Sequence, residues 1–164
     1  MRTLPFFASL LLVIGTLAGC AMPGSIVPGQ ATADELLQKL GKPTATRTQA
    51  QGGESWEYVY GPAGTETWRF DIDRNRRVSS ATQLLTHERL YQVVPGVTTE
   101  AQVRELLGPP REIYSFREEK AWEWNASMSP NTGVFVVRFG PDGRATGVNV
   151  LMDFLHDGND MDSP

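Results

Sequence analysis

An internal repeat constrains the fold of this chain more than any other feature, because one stretch of sequence returns 67 residues later. The matching pairs are Gly29 with Gly96, Thr32 with Thr99, Leu36 with Val103, Leu40 with Leu107, Gly41 with Gly108, and Pro43 with Pro110. The offset drifts to 66 for Trp56 with Trp122 and to 69 for Phe70 with Phe139. Self-similarity at a fixed period indicates two copies of one supersecondary unit.

Each copy opens with the signature of a short helix. Thr32 is followed by Glu35, and Thr99 by Gln102, which is the spacing of a capping box. Leucine and valine then recur at helical spacing, and a glycine ends the pattern at Gly41 or Gly108. Two helical turns do not persist alone in water, so we expect the following strands to support them.

Alternating aromatic residues predict those strands. The segment 54–60 places Trp56 and Tyr58 on one side, and Trp122 and Trp124 alternate across Glu123. The sequence therefore predicts an α+β fold of two tandem helix-then-antiparallel-strand units, in two layers, with a shared or adjacent curved sheet. We assign residues 31–84 to a divergent first αβ repeat and residues 85–153 to the second.

The N-terminus resembles the signal peptide of a bacterial lipoprotein. Arg2 precedes an apolar segment that is too short to span a bilayer, and Leu17-Ala18-Gly19-Cys20 resembles a lipobox. That resemblance implies cleavage after residue 19 and acylation of Cys20, the single cysteine, as the lipid anchor. By resemblance to the sorting rule of enterobacterial lipoproteins, Ala21 in place of aspartate implies the outer membrane. The Pro- and Gly-rich residues 20–30 are interpreted as a tether, and residues 154–164 as an acidic tail.

Charge and composition exclude several function classes. Cleavage removes Arg2 and no acid, which leaves 14 basic against 19 acidic side chains and a net charge of −5. An acidic chain with no basic run longer than Arg76-Arg77 does not suggest nucleic-acid binding. No motif of a serine or cysteine nucleophile or of a zinc site occurs, and Arg76 stands where a calcium loop requires glycine. We therefore expect no enzymatic activity, no metal and no cofactor beyond the covalent lipid.

A family resemblance rests on the second copy. Leu85-Thr86, Pro95-Gly96-Val97-Thr98-Thr99, Trp122-Glu123-Trp124 and the hairpin from Phe139 to Gly143 resemble the SmpA/OmlA lipoproteins, which include BamE. The tandem arrangement is similar to that of the β-lactamase inhibitory protein. The resemblance implies a periplasmic-facing lipoprotein of the cell outer membrane, which supports β-barrel outer-membrane protein assembly and envelope integrity through protein–protein contacts.

Two interpretations remain open for the aromatic residues, core packing or a recognition surface. If helices cover one sheet face, the other face must meet water or a partner. We expect that candidate interaction face to be lined by Glu57, Val59, Arg69, Glu123, Val136 and Arg138. The expected partners are the membrane, through the anchor, and envelope proteins, with the β-barrel assembly machinery implied by resemblance alone. The alternative function is an inhibitor-type binding module for a periplasmic enzyme.

Overall fold

The computed structural model describes residues 22–128 and 131–152. Its three α-helices in these residues are α1 (Ala33–Leu40), α2 (His87–Leu90) and α3 (Glu100–Leu107). The strands are β1 (Ala45–Thr48), β2 (Glu54–Tyr60), β3 (Glu66–Ile72), β4 (Val78–Gln83), β5 (Glu112–Phe116), β6 (Glu119–Met128), β7 (Asn131–Phe139) and β8 (Ala145–Met152). They form two antiparallel sheets, ordered β1-β2-β3-β4 and β5-β6-β7-β8.

The α+β fold class predicted from the sequence was wrong. The structure is mostly β, with 45% strand and 21% helix. It consists of two antiparallel four-stranded sheets with few helices, instead of two helix-then-strand units with a shared or adjacent curved sheet. The helical signals are strong but cover only eight residues each in α1 and α3. Neither edge strand, β1 or β5, contains a fully buried residue, and neither was predicted from the sequence.

The elements stack in four layers, in the order α1, first sheet, α3, second sheet. One face of the first sheet packs on α1 through Leu36, which is fully buried with Phe70. The second sheet packs on α3 through Val103 and Leu107, which are buried against Trp124. Because α3 lies between the sheets, its opposite side contacts the second face of the first sheet.

Equivalent hydrogen bonds recur in the two halves. The amide of Gly29 donates to the carbonyl of Val78 at 2.8 Å, and the amide of Gly96 donates to that of Ala145 at 2.7 Å, with both partners 67 residues later. The Tyr58 hydroxyl donates to a helix-ending glycine carbonyl, and in the second half the indole of Trp124 does so. The halves therefore share backbone geometry even where their side chains differ.

The strand register corrects one part of the sequence alignment. Trp56 lies opposite Phe70, and Trp122 lies opposite Val137. Phe70 is therefore equivalent to Val137 at an offset of 67, and the matching of Phe70 with Phe139 at 69 was wrong. Both halves have a register shift one residue pair further on, before Val78 in the first half and before Ala145 in the second.

Both capping boxes predicted from the sequence are confirmed. The Thr32 hydroxyl accepts from the amide of Glu35 at 3.2 Å, and the Thr99 hydroxyl accepts from the amide of Gln102 at 3.3 Å. In each box the side-chain oxygen of Glu35 or Gln102 accepts a hydrogen bond from the threonine amide. The boxes satisfy amides that the first helical turn leaves without partners.

Loss of one cap is expected to have a small effect on stability. We expect Thr99→Ala to lower the free energy of unfolding by about 1 kcal/mol, because an amide of the first turn of α3 loses its acceptor. Urea denaturation followed by tryptophan fluorescence measures the change. Thr99→Ser retains the hydroxyl and is the matched control. Equal losses in both variants would show that the methyl group, not the cap, contributes the stability.

Residues that composition assigned to a tether are part of the folded unit. Pro23–Ser25 form a 3₁₀ turn, Pro23 is buried, and Ile26 joins the core beneath α1 at 5% exposure. Ile26 is equivalent to Val93, which follows α2 and is also buried. The segment from residue 22 to residue 30 therefore packs against the first sheet where α2 packs in the second half.

Three sequence interpretations lie outside the described residues. They are the signal peptide 1–19, the lipid anchor at Cys20, and the acidic tail 154–164. Within residues 22–128 and 131–152, no helix has both the length and the apolar character needed to cross a membrane.

Candidate protein-binding face

The six residues predicted to line an interaction face lie on equivalent faces of the two sheets. Glu57 and Arg69 are paired across β2 and β3, and Glu123 and Val136 are paired across β6 and β7. Val59 shares the face of Glu57, at 40% exposure, and Arg138 shares the face of Val136 and is exposed. The two halves differ in what covers these faces.

In the first sheet, α3 covers the face. Glu57 is fully buried and Arg69 is 8% exposed. Arg69 Nη2 lies 2.8 Å from Glu57 Oε1, and Arg104 Nη2 of α3 lies 2.7 Å from Glu57 Oε2. Glu105, the next residue of α3, pairs with Arg69, and Arg69 also donates to the Glu105 carbonyl at 2.8 Å. These two predicted residues are therefore buried inside the chain and do not face a partner.

Arg47 completes this ion network from the edge strand β1. Its Nη2 lies 3.1 Å from Glu57 Oε1, and its Nη1 lies 2.5 Å from Glu105 Oε2. Burial raises the pKa of the Glu57 carboxyl, but the hydrogen bonds from Arg104 and Arg69 lower it more, and the net pKa lies below its ordinary value. Glu57 is therefore held as a carboxylate between three guanidinium groups.

Glycine permits the close approach of α3 to the first sheet. Gly108 ends α3 with φ of +78°, and a Cβ at this position would lie 2.7 Å from Thr67 Cγ2 and 3.1 Å from Leu84 Cδ1. At the equivalent glycine, Gly41, φ is +77° and nothing lies within 4 Å of such a Cβ. Helix α3 therefore packs tightly on the first sheet at Gly108, whereas no atom of the described residues packs against the equivalent position, Gly41, at the C-terminal end of α1.

The equivalent face of the second sheet is exposed and partly apolar. Tyr114 is 50% exposed, Phe116 72% and Leu151 56%, and they share the face with the half-buried Val134 and Val136. We call the surface formed by β5 to β8 on this side the open face. Its residues are Glu112, Tyr114, Phe116, Glu119, Ala121, Glu123, Asn125, Val134, Val136, Arg138, Asn149 and Leu151. At one end of this face the Asn125 side chain donates to the carbonyl of Ala63 in the first half. Apolar patches rimmed by polar groups are typical of protein-binding surfaces.

Charge on the open face lies beside its apolar residues. Arg111 Nη2 lies 3.2 Å from Glu123 Oε2, and the Glu123 side chain is 18% exposed. The central row of the face therefore pairs a neutralised carboxylate with Val136, where the first sheet pairs Glu57 with Arg69. A valine in place of that arginine makes the open face less polar than its covered counterpart.

A polar cleft of about 330 Å³ lies beside the ion network on the first sheet. Its floor includes Asp71, whose carboxylate accepts from Gln49 Nε2 at 2.7 Å, Ser55 Oγ at 2.5 Å and Ser80 Oγ at 2.6 Å. These donors all come from the same sheet. The Asp71 carboxylate therefore has a structural role, holding three strands and the end of β1 together.

Other residues of types that could serve in catalysis or metal binding make structural contacts instead. Asp73 Oδ1 accepts from the amides of Asn75 and Arg77 at 2.9 Å, which closes a hairpin turn. His87 packs on Tyr91 with ring centroids 4.6 Å apart. In residues 22–128 and 131–152, no group of three His, Cys, Asp or Glu side chains could hold a metal ion. His156 lies outside the described residues.

Sequence reasoning missed the residues that distinguish the two faces. Tyr114 and Phe116 lie on β5, which was not predicted as a strand, although their spacing of two residues is a strand signal. Arg104 and Glu105 lie on the polar side of α3, where charged residues normally indicate solvent. Their ion-pair partners come from β1 to β3, and no local pattern could have identified them.

Comparison with known proteins places the chain in no family. No protein-family model matches it, and no curated protein matches it. Among solved structures, it is similar to a DUF4309 family protein (YjgB) from Bacillus subtilis subsp. subtilis str. 168. The two chains are 17% identical, the match covers 78% of this chain and 82% of that chain, and the TM-score is 0.31.

The resemblance to the SmpA/OmlA lipoproteins was wrong. No model of that family matches the chain, and its two separate four-stranded sheets differ from the expected helix-and-strand units. The residues that suggested the family, such as Thr99, Gly108 and Trp124, are explained by helix capping and packing. The expected role in β-barrel assembly depended on that resemblance and loses its basis.

Proposed function

We propose that this protein is a non-catalytic, lipid-anchored binding protein of the outer membrane that faces the periplasm. Its anchor is Cys20, since Leu17-Ala18-Gly19-Cys20 follows a signal-like apolar segment. Its binding surface is the open face, which holds another protein of the envelope. One observation supports this proposal most. Helix α3 covers one face of the first sheet, whereas the equivalent face of the second sheet exposes large apolar side chains.

The exposed aromatic residues make the open face a suitable protein contact. Tyrosine and phenylalanine supply large apolar contact area at low entropic cost, and interfaces are enriched in such residues. Tyr114 and Phe116 lie on edge strand β5, where Arg111 and Glu123 form a charged pair nearby. This arrangement favours a partner that buries the aromatic rings and packs beside the charged pair.

Site-specific photocrosslinking in the native bacterium tests the proposed function. A photoreactive amino acid replaces Tyr114 or Phe116 in the lipidated protein, and Tyr91, which is 65% exposed but lies after α2, is the matched control. We expect protein adducts from the two open-face positions and not from Tyr91. The proposal fails if the open face yields no adduct, or if Tyr91 yields the same adducts.

An inhibitor-type binding module for a periplasmic enzyme is the alternative. It is favoured by the pair Tyr114 and Phe116, because two exposed aromatic residues on an edge strand can insert into an enzyme cleft. The two proposed functions differ in whether they require the lipid anchor. A Cys20→Ala protein in the soluble periplasm keeps full activity if it is an inhibitor, whereas a membrane-surface binding protein loses its partner.

A further inference from the structure

The two ends of the four-layer stack are equivalent to two layers that pack on each other inside the chain. The outer side of α1 forms one end, and the open face of the second sheet forms the other. Inside the chain, α3 lies on the first sheet. Because α1 is the equivalent of α3 and the second sheet is the equivalent of the first, the same packing can be repeated between two molecules.

We propose that the open face binds α1 of a second copy of this chain, with the geometry that α3 has on the first sheet. This inference rests on the proposed function and names the protein that the open face holds. The contact is head-to-tail, because one copy supplies α1 and the other supplies the second sheet. Such a heterologous contact continues from copy to copy instead of closing as a symmetric pair.

The residues that would meet follow from the internal contact. Inside the chain, Arg104 of α3 contacts Glu57 of the first sheet. Leu37 of α1 is the equivalent of Arg104, and Glu123 of the second sheet is the equivalent of Glu57. The exposed Leu37 therefore reaches the side of the open face where Arg111 already neutralises Glu123.

A second contact also becomes less polar between copies. Glu105 pairs with Arg69, and the equivalents of these residues are Gln38 and Val136. The internal contact is charged on both sides, whereas the contact between copies places uncharged groups on both sides. The helix has glutamine where α3 has glutamate, and the sheet has valine where the first sheet has arginine. The two surfaces therefore remain complementary, since a charged helix residue placed on Val136 would lack a partner.

Glycine completes the match. Gly108 approaches Thr67 and Leu84 closely, and the equivalent Gly41 is exposed, with nothing within 4 Å of a Cβ built on it. The residues equivalent to Thr67 and Leu84 are Val134 and Leu151, and Leu151 is 56% exposed. Gly41 of one copy therefore supplies the close approach that these two apolar side chains need.

Anchoring supports such an association between copies. A contact centred on one eight-residue helix is small, and small contacts are weak in dilute solution. A lipid on Cys20 confines every copy to one membrane surface and raises the effective concentration. Weak head-to-tail contacts then assemble short rows of molecules at the membrane.

Crosslinking of two introduced thiols with a reducible bismaleimide tests the inference, because Arg69 and Glu105 meet through the ends of long side chains, whereas a direct disulfide needs Cβ atoms about 4 Å apart. The lipidated protein carries Gln38→Cys and Val136→Cys together, since the Gln38 equivalent, Glu105, pairs with the Val136 equivalent, Arg69. We expect a ladder of multiples of the chain mass on a non-reducing gel, which collapses to the monomer on reduction. Each single variant lacks the ladder, because the contact joins two different surfaces. Cys20 is unchanged throughout, so any product of its own thiol also occurs in the single variants.

A displaced pair is the matched control. Gln38→Cys with Thr146→Cys keeps the helix cysteine but moves the second thiol to an exposed position on β8 outside the open face. An equal ladder from this pair, or no ladder from the Val136 pair, overturns the inference. If photocrosslinking at Tyr114 captures a different protein while the ladder is absent, the second copy is rejected and the proposed function stands. If neither experiment yields a product, both are rejected.

Discussion

Glu57→Gln is expected to lower the free energy of unfolding by about 3 kcal/mol, because it leaves the guanidinium groups around this position without their buried counter-charge. Glu57 is fully buried and contacts Arg69 and Arg104, which are themselves mostly enclosed. Urea denaturation followed by tryptophan fluorescence measures the loss. The matched control is Glu123→Gln, the equivalent residue on the open face, whose partner Arg111 is half exposed.

We expect Glu123→Gln to cost less than about 1 kcal/mol, because its ion pair is screened by water. Equal costs at the two positions would contradict the conclusion that α3 desolvates the first face and leaves the second one open.

The effect of Glu57 also has a defined pH dependence. Its folded pKa lies below the ordinary value, so its stabilising contribution is present in full above that ordinary value and is lost as the pH falls through the folded pKa. The stability difference between the native protein and Glu57→Gln should therefore be largest near about pH 7 and shrink towards about pH 3. Unfolding midpoints of both proteins across this range measure it. A difference that grows on acidification would reverse the sign and contradict the ion network.

The second large effect is expected at the glycine that ends α3. Gly108→Ala should destabilise the fold by about 4 kcal/mol, from the strain of a side chain at positive φ and from overpacking against Thr67 and Leu84. Gly41→Ala has the same backbone strain without the collision, so about 2 kcal/mol is expected. Comparison of the two free energies of unfolding isolates the contact between α3 and the first sheet. If the two costs are equal, α3 does not pack there as described.

Local signals in the sequence predicted local structure well. The capping boxes at Thr32 and Thr99 are present, and the aromatic alternation around Trp56 lies on a strand whose apolar side is buried. These features depend on residues within a few positions of one another, which is what spacing can report. The repeat also aligned equivalent residues of the two halves correctly, except on the strand where Phe70 was matched with a residue two positions too far along the chain.

The layer order could not be predicted from such patterns. Val103 and Leu107 identify one buried side of α3, but Arg104 and Glu105 on its other side resemble a solvent-exposed surface. Arg104 is partly buried because it pairs with Glu57, which is 47 residues earlier in the chain, whereas the Glu105 side chain stays 60% exposed while it pairs with Arg47 and Arg69. For the same reason, the predicted interaction face contained buried and exposed residues together, and only the exposed half of it remains as the candidate site.

The position of α3 between the sheets also orders the events of folding. A chain is synthesised from its N-terminus, so the first sheet is complete at Gln83 while its charged face still lacks a cover. Glu57 and Arg69 gain that cover only when the residues up to Gly108 have followed. The first half therefore acquires its final stability from a helix made later, and residues 31–84 expressed alone would keep their charged pair in water.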